Sequence, residues 1–435
     1  MNRIVAGLTV LFLVIGPAHA ARAQTPVPGF PIINPPAGVY VDAEGTLRHR
    51  KVDDKSELAA QRLRAKALSQ PPKSQALTYV SLKKLLGEVR SHVEAKRELP
   101  ENLRYLSGMT QVRYVFVFPE ERDLVIAGTS EPFDAANRAQ PFGKVTGRPV
   151  IHLDDLVTAL RMAGRGSPRP FGCSLDPHPD SLDRSNQVMR DLANATRGAR
   201  MNALRQAMGP QQVRMFGAPA DSRLMFITIA ADYKLKRLFL GLDAMPVPGI
   251  GLPVDNTRAA GNRFWFELDY APLLVSPAGD AYELRGQRLA IKAGAFSFDE
   301  KGATETSKRF AKNFSAKMPQ LATAVPLFAD LQNVADLSVV ATLVRRDKLD
   351  QKAGLDLSWI AAEGNYRTAA FPTPRTAETL VNYANGSIVA GGVSFNPSAV
   401  VGEGKREVDR KAALQSAKGK PGSDNWWTTR GGAEE

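Results

Sequence analysis

The chain predicts an α+β protein in which mixed or antiparallel sheets, built from hairpins, carry packed helices. Three observations predict it. Short apolar, β-branched runs flank turn residues at Tyr114–Phe118 and Leu124–Ala127. Apolar residues recur at spacings of three and four behind capping residues, as in Leu82, Leu85, Leu86, Val89 and Val93 after Ser81. A strand-rich block near 264–292 precedes a helical stretch near 306–346, the segregated order of α+β proteins.

The densest fold signal lies between Leu103 and Asp176. Pro119 to Asp123 is a polar loop joining the two strands of a hairpin. Asp154 and Asp155 then open a helix carrying Leu156, Val157 and Leu160, since carboxylates favour the positive end of the helix dipole. A strand at Phe171–Leu175 closes the unit at the Asp176-Pro177 turn.

Before this unit, Gln24 to Pro36 is Pro-rich and extended, Gly38 to Arg48 has a small hairpin pattern, and Lys55 to Lys73 reads as a loosely held helix or second linker. Residues 24–75 are therefore expected to be a linker region. A domain over 78–245 follows. In it, Ser181 to Met208 is helical and Gly209-Pro210 stops it. Gln212–Phe216 and Leu224–Ile229 read as a second hairpin, followed by a helix from Ala231-Asp232-Tyr233. The same hairpin-then-helix order occurs at Gln111–Arg161. An internal duplication explains this, and so does chance, because only the triplet QVR is identical.

Met245–Pro253 marks a linker or lid. Residues 254–350 are expected to form a strand block followed by a helical pair, interrupted at Pro326. From 402 to 435 the chain is Gly-rich with charges of both signs, the composition of a disordered tail, though Trp426-Trp427 within it could dock.

At 435 residues the chain is long enough for more than one core. Its 43% hydrophobic and 23% charged residues are ordinary for a globular protein. With 57 Lys+Arg against 44 Asp+Glu the net charge is +13, which favours anionic partners without selecting among them. Met1–Ala23 has the form of a secretory signal peptide: a positive start, an apolar run from Ile4 to Ile15, and small-x-small sites at Ala18-His19-Ala20 and Ala21-Arg22-Ala23. No later run reads as the ~20 apolar residues a membrane-spanning helix needs. The expectation is a periplasmic or extracellular protein. Its expected partner is an anionic cell-envelope polymer or another exported protein, with no specific nucleic-acid motif. Cys173 is the only cysteine, so no disulfide can form within the chain, and its apolar neighbours mark it as a small core residue.

Several segments together carry a resemblance: RYLSGMTQVRYVFVFPEERDLVIAG, TGRPVIHLDDLVTALR, FGCSLDP, ADYKLKRLFLGLD and FADLQNVADLSVVATLV. Over about Ser81 to Leu349 the chain resembles the domain of unknown function 1598 family, secreted proteins of planctomycete-type bacteria. At Gly128–Phe133 it reads GTSEPF where that family carries a Gly-Pro-Ala-Glu-Gly-Trp-like run. The resemblance implies export and a shared fold, with no activity, cofactor or catalytic residue.

Chemistry has few candidates. There is no Gly-x-Ser-x-Gly elbow and no His-Glu-x-x-His helix. Gly143-Lys144 lacks the leading Gly and following Ser/Thr of a phosphate loop, and one cysteine cannot make a zinc pair. What remains is His152, Asp154 and Asp155 with Asp176, His178 and Asp180, both sets near strand ends of one unit. Together they could bind a metal or do acid–base work in an envelope hydrolase. The same aspartates also serve simply as helix and turn starters. Lys234, Lys236 and Arg237 alternate with Leu235, Leu238 and Phe239, the pattern of a solvated basic face or, less often, of an anion-binding helix. The favoured reading is a non-enzymatic exported binding protein, with no catalytic, metal or cofactor residue assigned.

Overall fold

The computed structural model describes residues 38–49, 55–71, 77–136, 140–164, 169–252, 263–294, 302–382 and 390–419, with Phe298 and Trp426–Trp427. The signal-peptide reading of 1–23 and the Pro-rich run at 24–36 lie outside these residues.

Within the expected linker region, residues 38–49 form the small hairpin, and of the two readings of Lys55–Lys73 the helix is the one found. β1 (Val39–Val41) pairs antiparallel with β2 (Thr46–His49), and α1 (Lys55–Ser69) follows. β3 (Leu77–Ser81) runs directly into α2 (Leu82–Glu94), where the Ser81 hydroxyl accepts from the Lys84 amide at 3.1 Å. After the short α3 (Glu101–Arg104) comes the expected hairpin, longer than its apolar runs: β4 (Met109–Phe118) and β5 (Asp123–Ser130), in register from Phe118 opposite Asp123.

β4 is buried on both faces. Val115 and Val117 join the main core, whereas Tyr114, Phe116 and Phe118 join an aromatic cluster on the other face. That is the two-residue alternation of a strand. Val112 joins the main core despite its even number, because the register shifts between Val112 and Tyr114.

β6 (Phe133–Asp134) and β7 (Phe142–Gly143) form a separate two-stranded ribbon. Next come α4 (Leu153–Gly164) and β8 (Phe171–Asp176), as the sequence predicts. The single helix expected over 181–208 is two: α5 (Pro179–Asp191) and α6 (Arg197–Met208). β9 (Gln211–Phe216) is present, but its expected hairpin partner is not. Leu224–Ile229 belongs to α7 (Arg223–Phe239), capped by the Ser222 hydroxyl accepting from the Met225 amide at 3.1 Å. A continuous apolar run has no periodicity to separate a buried strand from a buried helix, and here the cap and the length decide for helix. Without that hairpin the internal duplication falls away.

β10 (Arg263–Val275) and β11 (Ala281–Gly294) make a long irregular hairpin, followed by α8 (Glu305–Ala316), α9 (Met318–Ala324) and α10 (Pro326–Arg346). The expected helical pair is thus three helices, because Pro319 and Pro326 each begin a new one. α11 (Leu349–Ala353), α12 (Ser358–Ala361), β12 (Thr376–Ala377), β13 (Gly391–Phe395), α13 (Pro397–Val400), β14 (Arg406–Val408), α14 (Ala413–Ala417) and β15 (Trp426–Trp427) complete the described elements.

One mixed sheet runs through them in the order β1-β2-β12-β9-β8-β13-β10-β11-β4-β5-β3-β15, with β14 also pairing with β10. Strands from 78–245 and from 254–350 therefore interleave in one sheet, and the two expected domains are not separate. The expected disordered tail is corrected as well. Over 402–419 its charges pair within the fold: Arg406 donates to both carboxylate oxygens of Asp347 at 2.7 and 2.8 Å, and Lys418 reaches Asp280 at 2.6 Å. Leu414 seals the aromatic cluster beside Phe118.

α10 lies at the centre of the main core. Leu337, Val340 and Leu343 belong to the same buried cluster as Leu85 and Val89 of α2 and Leu156 and Leu160 of α4, and α10 packs directly on α4. Full burial of each such side chain contributes about 1.5–3 kcal/mol. By length and composition alone α10 is apolar enough to cross a membrane (mean hydropathy 1.4 over 18 residues), which the sequence reading did not anticipate. That whole stretch is buried inside the protein, as expected of a core helix.

Candidate functional site

Asp155, in the first turn of α4, is buried, and its carboxylate pairs with Nη1 of Arg223 at the start of α7. Nη2 of the same arginine donates to both carboxylate oxygens of Asp330 on α10, each at 3.0 Å. One guanidinium thus joins three helices. Burial pushes the Asp155 carboxyl up to about 6 against the pull of Arg223. Burial raises Asp330 too, again opposed by Arg223. His152 is beside this network and is buried. Its ring meets Tyr105 edge-on with centroids 5.1 Å apart, and its Nε2 has no hydrogen-bond partner among the described residues. Burial, reinforced by Arg223, holds its pKa well below the ordinary imidazole value, so the ring is neutral. Asp154 points elsewhere and accepts from the Tyr366 hydroxyl at 2.7 Å and the Ala369 amide at 3.0 Å.

The second half of the candidate set belongs to other surroundings. Asp176, at the end of β8, accepts from the Ser174 hydroxyl at 2.7 Å and pairs with Arg263 of β10. His178 is half-buried just ahead of α5, with Nδ1 3.5 Å from the exposed Asp180. The structure therefore brings His152 and Asp155 to one buried network, places Asp176 in another, and leaves His178 and Asp180 at the surface. The His152/Asp154/His178 cluster proposed for an envelope enzyme does not assemble. Among the described residues no group of three or more His, Cys, Asp or Glu is arranged to hold a metal ion.

Sequence reasoning missed the network around Asp176. Asp232 and Lys236, one turn apart on α7, are both buried. Lys236 is thus not part of a solvated basic face. Its ammonium donates to the Leu175 carbonyl at 2.8 Å and to Gln211 at 3.1 Å, and burial pulls its pKa down to about 8. Lys234 and Arg237 instead clasp Asp243. Neither Asp232 oxygen makes a well-formed hydrogen bond. Burial pushes this carboxyl up to about 6, although Lys236, Arg263 and the Gly392 amide favour its charge. Gly391 is required where it is, because a Cβ there would lie 2.2 Å from the Asp232 carboxylate. Cys173 is buried alongside, and burial drives its thiol pKa well above the ordinary value.

A third buried pair sits on α10. Asp336 accepts from the Tyr270 hydroxyl at 2.7 Å and from Nε of Arg288 at 3.2 Å. The available sequence signal for all three was charge inside an apolar helix. Asp232 and Lys236 in α7, and Asp330 and Asp336 in α10, must find partners once buried.

Away from these networks is a cavity of about 390 Å³, lined by α4, β8, the β9–α7 turn, α10 and Pro397. None of His152, Asp154, Asp155, Asp176, His178 or Asp180 lines it.

A family model described as "Protein of unknown function (DUF1598)" matches residues 173–251, from β8 through α7. The match supports the family resemblance over a narrower stretch than Ser81 to Leu349. It holds most of FGCSLDP and all of ADYKLKRLFLGLD, and it contains Cys173, Asp176, Asp232 and Lys236 of the second network. No curated protein and no solved structure matches the chain.

Proposed function

We propose that the protein is a non-enzymatic, exported binder of an anionic envelope polymer, held by its surplus of basic side chains. The observation that carries this reading is the engagement of Asp154, Asp155 and Asp176 in structural contacts, in a chain of net charge +13. A buried ion pair is not free to exchange protons with a substrate, whereas exposed Lys and Arg remain available to a polyanion. Export rests on the signal-like form of residues 1–23. The polymer could equally be bound through an exported protein that carries it, and both cases share the electrostatic signature.

The test is chromatography of the full mature chain on an immobilised anionic polysaccharide under a salt gradient. Retention at low ionic strength that falls steadily above about 0.1 M salt, where the Debye length drops below ~10 Å, supports the reading. Passage without retention at low salt, or retention indifferent to salt, overturns it.

A further inference from the structure

We propose that the cavity between α4, β8 and α10 binds a small amphipathic anion, its apolar body inward and its acidic head at Arg169. At about 390 Å³ the space is within the ~300–1,000 Å³ range of small-molecule sites. Most of the described residues that line it are apolar, with Ala159, Met162 and Ala163 from α4, Phe171 from β8 and Pro219 from the turn before α7, while the surface they present is polar and apolar in nearly equal parts.

The polar side chains among the described lining residues stand at two levels. Deep in the cavity, Ser338 and Thr342 of α10 are 4% and 3% exposed. The Ser338 hydroxyl is taken by the Ala335 carbonyl at 2.8 Å, while among the described residues none pairs with the Thr342 hydroxyl. At the mouth stands Arg169, exposed, with no carboxylate paired to it among the described residues. Among the described residues no acidic side chain lines the space. A cation at the mouth of a hollow whose other described lining side chains are uncharged complements a ligand with one anionic end.

Gly217 in the lining has φ +75°, and a Cβ there would lie 2.2 Å from the Pro170 carbonyl oxygen. The turn therefore packs backbone against backbone beside Phe171, which fixes this part of the wall.

The experiment uses the full chain with N-phenyl-1-naphthylamine as a fluorescent reporter of the apolar cavity, displaced by decanoate or by decanol. Decanoate is expected to displace it more strongly than decanol. Arg169→Ala, at an exposed side chain, should weaken decanoate about fivefold and leave decanol unchanged. Ala218→Trp, which places a large ring at the lining, should abolish displacement by both. Melting curves of both variants accompany the titrations, and Arg169→Ala alone decides the proposal if the Trp variant does not fold. Absence of displacement by decanoate overturns the assignment. Decanoate affinity unchanged in Arg169→Ala overturns it as well.

Discussion

Nη2 of Arg223 lies 3.0 Å from each carboxylate oxygen of Asp330, so the start of α7 is tied to the second turn of α10 through one nitrogen shared by both oxygens. Asp155 of α4 takes the other arm of the guanidinium. Charge-assisted hydrogen bonds and full burial make this contact directional, unlike the apolar packing around it. It also makes each member dependent on the others, since any one left alone is an uncompensated charge in the core.

The second network gives a pH signature. Burial raises the Asp232 carboxyl from 3.8 to about 6, so the folded protein binds this proton more readily than the unfolded chain. The contribution to stability is complete below about pH 4 and is lost as pH rises through about 6. Asp232→Asn removes that dependence. The stability of Asp232→Asn relative to wild type should rise between about pH 4 and 6, by on the order of 3 kcal/mol, and then level off. Urea denaturation at a series of pH values checks it. A difference independent of pH would show that the carboxyl is not perturbed.

Cys173 provides a probe of the same region. It has no exposed surface, and burial holds its thiol protonated. A thiol-reactive chromophore at pH 8 should label the denatured chain fully and leave the native chain unlabelled over the same time. Rapid stoichiometric labelling of the native protein would place Cys173 at the surface.

The segment at 402–419 is held by Leu414, 1% exposed against Tyr79, Phe116 and Phe118. Leu414→Ala should cost about 2–5 kcal/mol of the free energy that closes this segment. Hydrogen exchange at Arg406–Val408, whose strand pairs with β10, should accelerate accordingly. Unchanged protection in the variant would mean that the charge pairs alone hold the segment.

Local pattern made part of this fold legible. Apolar, β-branched runs on either side of a polar turn exposed β4 and β5, the Ser81 cap and its apolar stripe exposed α2, and paired aspartates exposed the start of α4. Where burial is complete the pattern vanishes: α7 is apolar nearly all round, and its first half reads as a strand. Composition misleads at 402–419 because a mixed-charge stretch looks the same whether its charges are solvated or paired with Asp347 and Asp280. The ion pairs were hidden for a different reason. Arg223 is 68 residues from Asp155 and 107 from Asp330, so nothing short of the folded chain brings them together. His152 and His178 illustrate the reverse error, since closeness along one supersecondary unit did not become closeness in space.

Asp155, Arg223 and Asp330 are tolerated in the core only as a set, each charge offset by the others. Urea unfolding of Arg223→Met tests it most directly, with the triple variant Asp155→Leu/Arg223→Met/Asp330→Leu measured beside it. The single variant should lose about 3–5 kcal/mol, because two carboxylates remain buried without a partner, and the triple variant should recover most of that loss. A single variant as stable as wild type would contradict the claim.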